Sequence, residues 1–290
     1  METLFPELAE YRREAVRLHP RPGRAEMRNS SLGGPLLWPQ GEPWPRCFDM
    51  HADPLNRKIL FPRQATPNGE PLIPVLQLYA DDIPDLPFPT ETDVLQVLWC
   101  PHDHLPRYAP RPQLHWRDSS RCDQHQYRPP HPHGAQPEYL PTPCILHPER
   151  VIDYPGADLP RELYVVLEDR FDQLEQATGW LFDSDLAVSP GVKVSGYPTW
   201  TQSPDWPDCP TCKEPMNHLL TINSMEFNGD DWRIWLPRED QPATDPTVIH
   251  RDLAHLISPH GLTLGDGGGI YIFDCRTCPY YPYTYRYDCS

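Results

Sequence analysis

The chain has 290 residues, of which 38% are hydrophobic, enough to close one large core or two modest ones. Its 40 prolines, against a usual share of roughly 5%, disfavour long helices and favour short strands joined by irregular loops. A formal charge of -16, from 41 acidic and 25 basic residues, opposes binding to nucleic-acid phosphates or anionic membranes, so neither is expected as a partner.

The N-terminus, Met1-Glu-Thr-Leu-Phe-Pro, lacks the basic and apolar regions of a signal peptide, and a cytoplasmic location is expected. Nine cysteines in such a compartment read as reduced thiols available to metal. Within an N-terminal segment of residues 1–28, Leu8, Tyr11, Ala15 and Leu18 share one face of a helix predicted over Pro6 to Leu18.

Residues 29–105 form a first unit. A Gly/Trp/Pro loop runs from Gly33 to Cys47, and apolar strands are predicted at Leu72 to Tyr79 and Val94 to Cys100. The loop ends in Cys47-Phe-Asp-Met-His51 and the second strand in Cys100-Pro-His102-Asp103-His104. Cys47, Cys100 and His51, with His102 or His104, predict a Cys/His zinc site; the alternative is a set of ordinary surface histidines. Residues 106–158 read as a solvated connector rich in proline and histidine. His125, His131, His133, His147, Cys122 and Cys144 show no recurring ligand spacing there.

Residues 159–290 form a second unit. An amphipathic helix over Pro160 to Leu181 carries Leu163, Val166, Leu167, Leu174 and Ala177, and a shorter one is predicted over Val248 to Ile257. The segment Ser195 to Cys209 matches Gly33 to Cys47 at a constant offset of 162. Gly34, Trp38, Gln40, Trp44, Pro45 and Cys47 recur as Gly196, Trp200, Gln202, Trp206, Pro207 and Cys209. Strands follow at His218 to Asn223 and Gly269 to Cys275, in the same order as in the first unit, which predicts a tandem duplication.

Two knuckles, Cys209-Pro-Thr-Cys212 and Cys275-Arg-Thr-Cys278, carry the strongest chemical signal. Two thiolates on each tight turn can face one tetrahedral ion, so Cys209, Cys212, Cys275 and Cys278 predict a closed structural zinc site. The segment Gly265-Asp-Gly-Gly-Gly269 lacks the Gly-Lys-Ser/Thr ending of a phosphate loop and reads as a tight turn. No nucleophile elbow, zinc-protease motif or dinucleotide fingerprint is present, and the spacing of Asp266, His255, His260, Glu226 and Asp230 demands no acid/base chemistry. The tryptophans Trp38, Trp44, Trp200 and Trp206 are expected to pack in the core.

Four elements, taken in order, carry a resemblance. Gly33-Gly-Pro-Leu-Leu-Trp-Pro, Val75-Leu-Gln-Leu, Ser195-Gly-Tyr-Pro-Thr-Trp-Thr-Gln and Leu264-Gly-Asp-Gly-Gly-Gly-Ile-Tyr-Ile-Phe together resemble the YwqG-like family of bacterial proteins, a domain of unknown function, over Asn29 to Ser290. The Trp-Pro-x-Cys element is similar to a cysteine-bearing actinobacterial branch. The resemblance implies a mixed α+β fold with no established activity, and an immunity or other protein-binding role for some relatives; it implies no zinc, since many members lack the cysteines.

The expectation is therefore a zinc-stapled, duplicated α+β protein of mostly short antiparallel strands with a few packing helices. It would bind a basic protein or peptide, with one structural zinc and a second in the first unit. The alternatives are an enzyme with a zinc or carboxylate site in the cleft between the repeats, and a metal or small-molecule sensor.

Overall fold

The computed structural model describes residues 1–52, 68–122, 130–228, 231–241 and 255–289. His125, Asp230 and most of the helix predicted over Val248 to Ile257 lie outside the described residues, although 255–257 are helical. The chain divides into two compact units. The first unit of the fold is Met1–His19, Pro148–Ile257 and Gly269–Ser290, which holds most of the sequence segment 159–290, and the second is Pro20–His147 and Ser258–Gly268, which holds the segment 29–105.

Each unit is built on an antiparallel sheet, as expected of an α+β chain rich in short apolar runs. With strands numbered in chain order, the first unit's sheet has the spatial order β10 (Glu149–Asp153), β1 (Arg13–Arg17), β11 (Lys193–Ser195), β12 (Asn217–Asn223), β13 (Gly269–Asp274) and β14 (Tyr283–Asp288). The second unit's sheet has the order β2 (Arg21–Pro22), β9 (Cys144–Ile145), β3 (Ser31–Leu32), β6 (Ile73–Tyr79), β7 (Val94–His104) and β8 (Ala109–Arg117). A small ribbon pairs β4 (Arg46–Cys47) with β5 (Glu70–Pro71). The segment predicted as a solvated connector thus supplies β8, β9 and β10.

The two sheets agree in register. In β6 and β7, Ile73 faces Trp99 and Pro74 faces Leu98; after an irregularity, Leu76 faces Val97. In β12 and β13, Asn217 faces Asp274 and His218 faces Phe273; after an irregularity at the same step, Leu220 faces Ile272. On the outer side Leu32 faces Leu76, as Val194 faces Leu220. The agreement extends to the next strand out: Val16 and Arg17 face Val194 and Lys193, while Cys144 and Ile145 face Leu32 and Ser31. Consecutive strands therefore part company, because β1 and β10 belong to one sheet and β2 and β9 to the other.

The N-terminal segment corrects the helix predicted over Pro6 to Leu18. Pro6–Tyr11 is a 3-10 turn that buries Leu8, and the chain then extends as β1. Pairing on both edges, with β10 and β11, outweighs the modest helical preference of Arg-Glu-Ala-Val-Arg. Arg17 is 1% exposed; it donates to the carbonyls of Pro190 (3.0 Å), Glu226 (2.8 Å) and Trp235.

The predicted helix over Pro160 to Leu181 is α1 (Arg161–Thr178), closed by Gly179 at φ 79°, a left-handed C-cap that glycine adopts at no steric cost. Leu167 and Phe171 are buried, with Leu163 and Leu174 packed against them, in a cluster with Phe5, Leu8, Tyr154 and Phe182. Val166 and Ala177 belong on the opposite side: Val166 is 67% exposed and Ala177 is exposed. Phe171, stacked on Phe182 at 4.2 Å between ring centroids, takes the place they were expected to fill.

A buried ion pair fixes the loop after β11. Asp153 accepts from Lys193 Nζ at 2.6 Å and from the backbone N–H groups of Ser189 (2.9 Å) and Tyr197 (3.1 Å), and both charged side chains are fully buried. Such a pair tolerates no intrusion. A Cβ at Gly196, where φ is 70°, would lie 2.2 Å from Asp153 Oδ2 and 2.7 Å from the Ala15 Cβ. Its counterpart Gly34 would meet the Ser31 Oγ at 2.7 Å, which gives the glycine shared by the two loops a steric reason.

Gly196→Ala is expected to lower unfolding free energy by more than about 2 kcal/mol in urea titrations. Gly41→Ala, also at positive φ (87°) but with nothing within 4 Å, isolates the backbone effect and should cost only about 1 kcal/mol.

Burial also holds three histidines neutral: His218 is pushed down to about 3, and His115 and His260 to about 4. Because the unfolded chain titrates near pH 6.5, these groups contribute stability above that value and lose it as pH falls toward their folded values. Urea midpoints should fall from about pH 6.5 to 4.5, because the three histidines outnumber Glu226, whose carboxyl is raised to about 7 by burial and acts in the opposite sense.

Candidate metal centres

The knuckle Cys209-Pro-Thr-Cys212 precedes β12 and is closed by a backbone ladder, in which Cys209 N–H donates to Glu214 O (2.8 Å) and Lys213 N–H to Cys209 O (3.0 Å). Cys275-Arg-Thr-Cys278 follows β13 in the turn to β14, where Cys275 N–H donates to Pro282 O at 2.8 Å. Adjacent strands with the same irregularity bring the two turns together, and all four sulfurs lie within 4.8 Å of one another. Cys209 and Cys278 are 3.9 Å apart at Sγ, and Cys212 and Cys275 are 3.7 Å apart.

Those separations fit a tetrahedral ion. Four sulfurs each about 2.3 Å from a central zinc stand about 3.8 Å from one another, whereas a disulfide needs about 2.05 Å. Trp200, Trp206, Tyr271, Phe273 and Met216 form an apolar shell around the cluster. Within it the thiols are driven apart in acidity: the Thr277 hydroxyl pulls Cys275 down to about 6, while neighbouring thiols, Cys212 first, push Cys278 up to about 12. A shared proton network of this kind is what a dication replaces on binding.

The second unit brings together Cys47, His51, Cys100 and His104, all buried. Cys47 ends β4, Cys100 lies within β7 and His104 ends it. The Nε2 of His104 is 3.3 Å from Cys47 Sγ, and the Nε2 of His51 is 3.3 Å from Cys100 Sγ. A tetrahedral site with sulfur at about 2.3 Å and nitrogen at about 2.0–2.1 Å places S and N about 3.5 Å apart. The His104 Nδ1–H donates to His102 O at 2.9 Å, so the Nε2 lone pair is directed into the cluster. Cys47 is held far below the usual thiol range and Cys100 far above it, because the Cys100 thiol donates to Cys47.

Sequence left His102 and His104 as alternatives, and the geometry separates them. A regular strand would put residues 100, 102 and 104 on one face, but the β7–β8 pairing is irregular between Cys100 and His104. His104 joins the cluster, while His102 stacks on the His51 ring at 4.5 Å between centroids. The two centres occupy similar places: one links the Gly/Trp/Pro loop to the turn after β13, the other links it to the end of β7.

Other candidates do not assemble into a site. Glu226 is pushed up to about 7 by burial and is committed to Arg17 and to the Val192 N–H. Cys144 is buried in β9, where its thiol donates to the carbonyls of Thr142 and Pro259. Of the four tryptophans expected in the core, Trp38 and Trp44 are buried 4.8 Å apart, whereas Trp200 and Trp206, edge-on at 6.3 Å, are half-buried against the cysteine cluster. Sequence reasoning missed Asp158, whose two oxygens accept the indole N–H groups of Trp206 (2.6 Å) and Trp200 (3.2 Å). The six-residue spacing of those tryptophans was its only sequence signal.

In comparisons with known proteins, no protein-family model and no curated protein matches the chain. No helix among the described residues is long and apolar enough to cross a membrane.

Metal analysis of the purified chain should give two ions per molecule. Cys275→Ser and His104→Gln should each reduce the content to one, and the double variant should abolish it.

Proposed function

We propose that the protein is a non-catalytic binding module, built by tandem duplication and stabilised by two structural zinc ions, that takes a basic protein or peptide partner. The observation that carries this reading is closure: each cluster offers four buried or half-buried protein ligands, which fill a tetrahedral sphere. A catalytic zinc keeps a position open for water or substrate, with three protein ligands. Thiolate and imidazole donors in fours favour zinc over the oxygen-seeking divalent ions.

Support for a protein partner comes from what the metal-held turns present. Phe48 and Met50, between the ligands Cys47 and His51, are 66% and 59% exposed, and Tyr280, just beyond Cys278, is 98% exposed. A turn pinned at both ends displays such side chains with little ordering cost on association. Around them lies a chain of charge -16, which favours a basic partner. This reading keeps the YwqG-like resemblance, with its immunity-type role, as the family-level frame, and a reducing cytoplasm as the location that suits nine free cysteines.

Copurification from the native host should retain a basic partner at about 0.05 M salt and lose it at about 0.5 M. The Phe48→Ala/Tyr280→Ala variant should release it even at low salt. Retention unchanged by both treatments would contradict the proposal.

A further inference from the structure

A cavity of about 850 Å³ opens in the first unit beside β1, the loop after β11 and the start of β12, lined by Arg13, Asp158, Tyr197, Trp206, His218 and Arg276 among others. The second unit is hollow at the matching place. Its cavity, about 960 Å³, is lined by Gly34, Pro35, Trp44, Ile73 and Pro74, which stand in register with Gly196, Tyr197, Trp206, Asn217 and His218. Two hollows at equivalent positions follow from the shared fold. Packing alone does not account for their linings, since one is mostly proline and apolar while the other collects two guanidiniums, the Glu14 and Asp158 carboxylates and an imidazole.

The charged cavity has the attributes of a small-ligand site: suitable volume, aromatic walls and a few convergent polar groups. Arg13 holds its guanidinium carbon 4.1 Å from the centre of the Tyr197 ring and 5.2 Å from that of Trp206. Among the described residues no carboxylate lies within ion-pair distance of it, so its donors remain available. A guanidinium supported on ring faces offers an in-plane fork suited to a carboxylate. Among the described residues, Arg276, between two metal ligands of the second knuckle, is in ion-pair reach of the Asp274 carboxylate alone, at 3.4 Å. Asp158 is committed to two indole N–H groups and Glu14 faces Arg12 at 3.9 Å, so neither lining carboxylate occupies the Arg13 fork. In a chain of charge -16, two arginines lining one cavity run against the overall field.

We propose that this cavity binds the carboxylate of an aromatic acid, with Arg13 and Arg276 as its anion contacts and Tyr197 and Trp206 as its ring contacts. The carboxylate could belong to a free small acid or to a peptide chain end. The site is distinct from the exposed side chains proposed above as partner contacts, because Phe48, Met50 and Tyr280 are not among its lining residues.

The test uses the full-length, metal-loaded chain. The Trp206 indole N–H resonance is followed on adding benzoate, a tetrapeptide ending in phenylalanine with a free carboxylate, the same peptide as its C-terminal amide, and benzylamine. Benzoate or the free-acid peptide should shift the resonance saturably, and which of the two binds tighter identifies the source of the carboxylate. Arg13→Gln and Arg276→Gln should each weaken that binding about tenfold or more, while Arg121→Gln, in the second unit, leaves it unchanged. Should Arg13→Gln not fold, Arg276→Gln and the amide comparison still decide. No saturable shift with either acid at about 10 mM, or equal binding of the amide or the amine, would overturn the proposal.

Discussion

Four ligand atoms drawn from a loop and a strand-end turn, all within 4.8 Å of one another, recur once in each unit and tie the least regular part of the chain to its most regular part. The strands that flank the central pairs are short: β2, β3 and β9 have two residues each. Short strands and proline-stiffened loops bring few ladder hydrogen bonds, and net domain stability is only about 5–15 kcal/mol. A structural zinc contributes folding free energy of about 10–16 kcal/mol in small peptides. A clamp of that size is large enough to decide whether the Gly/Trp/Pro loop is ordered, and with it the cavity it borders.

The proposed zinc clamp would rest on strands that are held in register by independent means. In the first unit the fully buried Asp153–Lys193 pair joins β10 to β11 across β1, and Gly196 leaves room for it. In the second unit neutral amides do the equivalent work: Gln77 and Gln96 bond to each other at 2.8 Å and to the Leu37 backbone. One solution relies on a charge pair that is costly to break, the other on a satisfied amide network, and both leave the Cys-bearing strands aligned. The first unit's sheet depends on β1, more than 130 residues away from its partners, whereas β9 lies within the same stretch, Pro20–His147, as the rest of its sheet.

Local features were legible in the sequence, and non-local ones were not. The two knuckles could be read because ligand spacing on a turn is a short-range property, and the loop match at offset 162 because six identities fall within fifteen positions. The strands around Val75, Val94, His218 and Gly269 were legible from their unbroken apolar runs. The N-terminal strand was not, because its pairing partners lie more than 130 residues away and its own periodicity suits a helix equally well. His104 could be preferred to His102 only through an irregularity in the β7–β8 ladder. Asp158 and Arg13 carry no motif, and their place beside the aromatic pair emerges only from the fold.

The central claim is that closed, four-ligand zinc centres of different composition clamp the two units. X-ray absorption at the zinc edge on the full-length chain tests it directly. The account predicts a mean first shell of three sulfurs at about 2.3 Å and one nitrogen at about 2.0–2.1 Å, the average of a four-cysteine and a two-cysteine, two-histidine site. A mean shell of four sulfurs would remove the centre in the second unit, and an oxygen ligand in the first shell would contradict the closed geometry.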